Sequence, residues 1–144
     1  MAKVSIYLNF PGTTEAAFNF YKSIFKTEFD SDPIRMGQMA TCDELPELNE
    51  DEKNKIMHIS MPILGETRIM ATDMLEKFGQ KLKIGNNTTI NLEPDSREEL
   101  DRLFNALSDG GSDITPPRDM PWAYWACCLD KFGIRWMFNF ETKQ

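Results

Sequence analysis

Long apolar runs, clusters of basic residues, paired cysteines and histidine are all scarce in this chain of 144 residues. No segment approaches the roughly 20 consecutive apolar residues of a membrane-spanning helix, so no membrane association is expected. Lys and Arg number 16 against 23 Asp and Glu, a net charge of −7 with a pI near 4.7. With no basic cluster to neutralise phosphates, nucleic acid is not an expected partner. The cysteines are Cys42, Cys127 and Cys128, an odd number without zinc-finger spacing. They argue against a disulfide framework and for a reducing, cytoplasmic setting. The opening stretch MAKVSIYLNF alternates where an export signal would carry an unbroken apolar core, and the expectation is an unexported protein. Histidine occurs once, at His58.

What is present reads as one soluble domain, with 41% hydrophobic and 27% charged residues and enough length to bury a core. Val4, Ile6, Leu8 and Phe10 alternate with polar residues, the period of a strand with one apolar face. Pro11-Gly12 ends that strand, Thr13 or Thr14 can cap a helix, and Ala17, Phe20, Tyr21 and Ile24 form its apolar stripe. Residues 28–36 read as a strand interrupted by Pro33, and residues 42–54, with six acids, as a solvated loop. Residues 55–64 and 67–73 follow as a hairpin turning at Gly65-Glu66.

The second half repeats this grammar, which marks an internal duplication. Thr88, Ile90 and Leu92 form the alternating strand, and Ser96 to Glu99 make a capping-box pattern. Leu100, Leu103, Phe104 and Leu107 form the stripe, and Gly110-Gly111 stops the helix. Residues 112–115, 123–129 and 134–140 supply three more strands, the last two joined by a turn at 130–133. The expected organisation is module one at residues 1–73, a connector at 74–85 and module two at 86–144.

Four stretches together span nearly the full chain: YLNFPGTTEAAFNFYKSIF from Tyr7, MHISMPILGETRIMATD from Met57, LSDGG from Leu107 and PWAYWACCLDKFGIRWMFNF from Pro121. On them the chain resembles the PhnB-like branch of the glyoxalase, bleomycin-resistance and extradiol-dioxygenase group, the vicinal oxygen chelate superfamily. The resemblance implies the glyoxalase/bleomycin resistance fold. This is an α+β class in which two βαβββ modules form curled mixed sheets around a central cavity, often in a homodimer. Metal-using relatives place a His or Gln on each module's first strand and a Glu near each module's end. The matching positions here are Ser5, Asn87 or Thr89, a residue near Met70, and Met137, so neither a metal nor another cofactor is expected. Relatives sometimes carry a demethylubiquinone methyltransferase label. That activity is not expected, because no strand leads into a Gly-rich nucleotide loop and no doubly wound pattern is present.

Candidate site residues follow from strand alternation. His58 shares a face with Ser60, while Met57, Ile59 and Met61 share the other, and His58 can serve as a general base, a ligand contact or a structural hydrogen-bonding group. Asp73 at a strand end either orients His58 or caps the connector. Ser5, Tyr7, Asn9 and Asn91 supply a polar inward face, to which Met70 and Met137 add thioethers. Arg135 shares the face of Met137 and Asn139, where it can meet an anionic group or make a salt bridge. The tryptophans can form an aromatic wall or fill the core: Trp136 faces the helices, and at least one of Trp122 and Trp125 is left for a pocket or dimer edge. Cys127 and Cys128 point to opposite faces, with core packing as the default. The reading is a protein that binds a small molecule in an inter-sheet cavity. The alternative is a lyase, isomerase or dioxygenase-type enzyme with an unconventional site at His58 and Asp73.

Overall fold

A computed structural model of the chain describes residues 2–38 and 47–141. Cys42, Asp43 and Glu44 of the acidic stretch lie outside the described residues. The backbone divides into two compact units, Met1–Lys83 and Ile84–Gln144. Each builds a four-stranded mixed sheet with a helix on one face, and neither sheet closes on itself.

In unit one the elements are β1 (Ile6–Phe10), α1 (Thr14–Phe25), β2 (Ile34–Arg35), α2 (Glu50–Lys53), β3 (Ile56–Pro62) and β4 (Arg68–Asp73). The strands lie in the order β1-β4-β3-β2, with β1 and β4 parallel and the other neighbours antiparallel. The helix α1 buries Ala17, Phe18, Tyr21, Ile24 and Phe25. Strand residues Phe10, Ile56, Ile59, Met61, Ile69 and Ala71 are likewise buried. Phe18 replaces the expected Phe20 in the stripe: its ring meets Phe10 edge-on at 6.4 Å, while Phe20 stays half-buried at the helix edge.

Three expectations for this unit are corrected. The strand at residues 28–36 shrinks to Ile34–Arg35, because Pro33 offers no N–H to a ladder. The stretch 47–54 is not all loop. Asn49 Oδ1 accepts from Glu52 N at 2.8 Å and Glu52 Oε1 accepts from Asn49 N at 2.9 Å, and this capping box closes the single turn of α2. Met57 does not share the face of Ile59 and Met61. Ile34 pairs with His58 but Arg35 pairs with Ile56, so β3 carries an extra residue there. This bulge buries both Ile56 and Ile59 and leaves Met57 exposed.

Thr13 makes no side-chain bond at the α1 N-terminus. The cap comes instead from Asp73, only 2% exposed at the end of β4. Its Oδ1 accepts from Thr14 N at 3.0 Å and from Thr14 Oγ1 at 2.7 Å, and its Oδ2 accepts from Ile56 N at 2.8 Å. A negative carboxylate at a helix N-terminus also meets the positive end of the helix dipole.

In unit two the elements are β5 (Ile90–Leu92), α3 (Arg97–Ser108), β6 (Ser112–Asp119), β7 (Tyr124–Leu129) and β8 (Arg135–Phe140). The order β5-β8-β7-β6 repeats that of unit one, again with the first pair parallel. Ser96 Oγ accepts from Glu99 N at 3.1 Å, and Leu100, Leu103, Phe104 and Leu107 are buried. Phe104 meets Phe138 edge-on at 5.7 Å. Asp130, 3% exposed, organises the β7–β8 turn. Its Oδ1 accepts from Phe132 N and Ile134 N at 2.8 and 3.0 Å, and its Oδ2 accepts from the Trp136 indole at 2.8 Å.

β6 continues past Thr115 through Pro116 and Pro117 to Asp119, longer than expected. It is an edge strand paired only with β7, and register shifts absorb the residues that cannot donate. The chain leaves α3 after Ser108 through Gly110 at a φ of +75°, and Gly111 has no room for a side chain, since a Cβ there would stand 2.2 Å from Leu129 O. Among the described residues no helix is long and apolar enough to cross a membrane.

Two substitutions test these constraints. Asp73→Ala strands buried donors on Thr14 and Ile56, and should lower stability by about 3 kcal/mol in urea unfolding, with Asp73→Asn losing less because it keeps an acceptor oxygen. An unchanged midpoint for the alanine variant would show that the cap is dispensable. Gly111→Ala should cost about 1–3 kcal/mol through the clash with Leu129 O, read as an earlier thermal melt.

Candidate functional site

Because α1 covers one face of the unit-one sheet, alternate side chains emerge on the other. Tyr7 pairs across the ladder with Met70, and Met70 with Ser60, so these three form one row on the open face. Asn9 and Thr72 form the next row. Regular alternation from Ser60 sets His58 one pair further along β3, diagonally opposite Tyr7. Tyr7 Oη lies 3.2 Å from His58 Nδ1, and the two rings are tilted by 37° with centroids 5.9 Å apart.

Tyr7 is 45% exposed, yet partial burial pushes its phenol above the ordinary value of 10.0. It is therefore a neutral hydroxyl at neutral pH. In the tautomer in which that hydroxyl donates to Nδ1, the imidazole proton sits on Nε2, and Nε2–H is the group offered to a ligand. Ser60 Oγ donates to Asp30 Oδ2 at 2.6 Å, and Arg68 Nε reaches the same oxygen at 3.1 Å. The Ser60 hydrogen bond, followed by that of Arg68, holds the Asp30 carboxyl below its usual range. Ser5 precedes β1 and is exposed.

Asp73 takes neither role expected of it. It lies on the buried, helix-facing side with Ile69 and Ala71, where its oxygens serve Thr14 and Ile56. The proposed His58 and Asp73 pairing is not formed, because strand alternation sends the two side chains to opposite faces. Tyr7 meets His58 instead. Tyr7 and His58 were both legible as polar-face residues, but that they meet depends on the order of the strands, which alternation along one strand does not give. Asp30 was missed altogether, since its position beside Ser60 requires the register of an irregular edge.

The unit-two sheet likewise has α3 on one face and an open face opposite. Asn91 and Cys127 both pair with Met137, and Trp125 pairs with Asn139. Asn139 Nδ2 donates to Asn91 Oδ1 at 2.7 Å. Arg135 Nε donates to Thr89 Oγ1 at 3.0 Å, and its Nη2 lies 3.7 Å from Cys127 Sγ. The Arg118 guanidinium stands 5.8 Å from the centre of the Trp125 ring. Trp122 is 60% exposed ahead of β7 and shares no ring contact with Trp125, so the two do not form a single wall. Trp136 is fully buried with Phe138.

The register also separates the adjacent cysteines. Cys127 pairs with Met137 on the open face and Cys128 with Trp136 on the helix side, and both are buried. Burial, reinforced by nearby Asp130, pushes the Cys128 thiol up to about 12, which suppresses the reactive thiolate.

Comparison with known proteins places this geometry in a family. The family described as 3-demethylubiquinone-9 3-methyltransferase matches residues 2–138. Protein PA1353 of Pseudomonas aeruginosa is 30% identical and superposes with a TM-score of 0.82 over 99% of this chain and 100% of that one. A PhnB protein of Bacillus cereus is 22% identical, with a TM-score of 0.73 over 96% and 99% of the two chains. A glyoxylase/bleomycin resistance protein/dioxygenase domain of Frankia sp. shares the fold at 15% identity, with a TM-score of 0.67 over 99% and 94%. No curated protein matches the chain. With two βαβββ units that share the fold of these structures and a family match over nearly its whole length, the chain belongs to the family described as 3-demethylubiquinone-9 3-methyltransferase.

Proposed function

We propose that the protein binds a small, partly apolar molecule on the open faces of its sheets and does so without a metal ion. The observation that carries this reading is the Tyr7 and His58 pair, a half-exposed hydrogen-bonding couple beside the Met70 thioether. Convergent polar groups on a surface with aromatic and thioether character suit a neutral or weakly polar organic ligand. A homodimer in the cytoplasm belongs to the same reading, supported by the resemblance and by the unpaired cysteines. Sedimentation showing a single copy would remove the dimer.

The donor chemistry supports metal independence. Ser5, Asn87 or Thr89, a residue near Met70, and Met137 stand where the resemblance implies His or Gln and Glu in metal-using relatives, and the Thr89 hydroxyl already accepts from Arg135. Such a set fits a hard divalent ion poorly. Among the described residues no three His, Cys, Asp or Glu side chains gather as a metal group. The family's name carries a methyltransferase activity to which this reading does not extend, because the elements among the described residues form no doubly wound sheet and the sequence has no strand leading into a Gly-rich nucleotide loop.

Titrating zinc or manganese into the purified chain should leave its melting temperature unchanged, and one tightly held ion per chain would overturn the metal-free reading. S-adenosylmethionine should give no calorimetric signal. Fragments screened by NMR should perturb the Tyr7 and His58 rings, and His58→Ala should weaken such fragments about fivefold through loss of one hydrogen bond. Perturbations confined to the helices would remove the site.

The partly buried phenol of Tyr7 also predicts a pH dependence. The unfolded chain releases the Tyr7 proton near the ordinary 10.0, whereas the folded chain holds it to a higher pH. That stability is complete below pH 10.0 and is lost as pH rises through the folded pKa. Near-ultraviolet titration of the chain beside Tyr7→Phe should show a late phenolate signal that the variant lacks.

A further inference from the structure

The chain has six arginines, and their partners divide them by location. Arg35 pairs with Glu15, Arg68 with Asp30, Arg97 with Asp119 and Arg102 with Glu99. Among the described residues, Arg118 and Arg135 have no carboxylate partner, although acids outnumber bases by 23 to 16. Both stand on the open face of the unit-two sheet. Arg118 pairs across the ladder with Trp125, and Arg135 with Leu129, one alternate position along β7 from Cys127. Asp119, next to Arg118, turns to the opposite face and binds Arg97 of α3, so the nearest acid along the strand is already engaged.

We infer that this face is an anion site, and that the molecule it takes is a carboxylate with a flat, apolar body. The inference rests on the ligand-binding reading above and names the chemistry of the ligand. Arg135 is half-buried, and its guanidinium is oriented by neutral groups only: Nε by the Thr89 hydroxyl and Nη2 by the Cys127 sulfur. Those two contacts use one edge of the fork. The Nη1 and Nη2 hydrogens that remain point away from it in parallel, the arrangement that grips a carboxylate with two bonds.

A partly desolvated cation without an anionic partner lowers its free energy when an anion arrives. One guanidinium charge matches one carboxylate charge. Between the two arginines the floor consists of the half-buried Trp125 and Met137, with Cys127 buried between them, a surface of indole and thioether suited to an aromatic ring. The Asn91 and Asn139 amides, bonded to each other at 2.7 Å, retain further donor and acceptor capacity for a polar substituent. Arg118 above Trp125 adds positive potential beside the ring.

The test uses the full chain with benzoate, indole-3-acetate and their neutral amides as probes. NMR titration follows the backbone of β7 and β8 and the indole N–H of Trp125. Both acids should shift these signals and bind about tenfold or more tightly than their amides. Arg135→Gln should abolish the preference for the acid, and Arg135→Lys should keep part of it, because the charge remains while the fork is lost. The melting temperature of each variant shows whether loss of the Thr89 bond has disturbed the sheet. If Arg135→Gln melts early, Arg118→Gln and the acid and amide comparison on the native chain carry the test.

Equal binding of acid and amide, absence of acid binding, or acid shifts that survive Arg135→Gln unchanged would each overturn the assignment. So would shifts on this face that appear on raising protein concentration alone, which mark a contact between copies. Neutral aromatics that bind at Tyr7 and His58 while no acid binds at β7 and β8 would remove the anion site and leave the general ligand-binding reading standing. If no probe binds to either face, both fall.

Discussion

Unit one depends on a buried carboxylate. Removing an aspartate from water costs several kcal/mol, so Asp73 can stay buried only if its oxygens find strong donors. They find three, two on Thr14 at the start of α1 and one on the backbone of Ile56 at the start of β3. The end of β4 is thereby joined to the beginning of a helix far away in sequence and to the neighbouring strand. Asp130 solves the same problem in unit two with donors from Phe132, Ile134 and the Trp136 indole. In each unit the charge is offset by groups that must stand in one arrangement.

The position of the ligand surface follows from that constraint. With α1 fixed over the apolar side, Phe10, Phe18, Ile59, Ile69 and Ala71 are buried together, and the alternate side chains of the same strands are left on the open face. Tyr7, His58, Ser60 and Met70 are therefore displayed by the same pleat that builds the core. In unit two α3 does the same for Asn91, Trp125, Arg135, Met137 and Asn139. The residues on the two open faces differ, one centred on a phenol and an imidazole, the other on guanidinium groups and an indole. The two units thus share one strand order and carry different chemistry on their open faces.

Much of this was legible because the signals are local. Alternation from Ile6 to Phe10, the stripe from Leu100 to Leu107, and the turn at residues 130–133 each concern neighbours along the chain. The edges were not legible. Residues 28–36 hold only a two-residue strand, and β6 passes through two prolines, because an edge strand need satisfy only one neighbour and tolerates irregularity. The site was legible in its parts. Tyr7, Asn9, Asn91 and Met137 could be assigned to a face by counting in twos, but counting in twos fails at Met57, where the bulge shifts the phase.

The sequence by itself determined the duplicated α+β plan, the family and the residue types available for chemistry, since these rest on periodicity and motif. Only the tertiary structure decided which residues meet. Asp73 left its expected place beside His58 for the N-terminus of α1, because a carboxylate gains more from three buried donors than from one exposed imidazole. Tyr7 took that place through the register of β1, β4 and β3, and Arg135 found only neutral partners, because pairing across a sheet depends on residues that lie far apart along the chain.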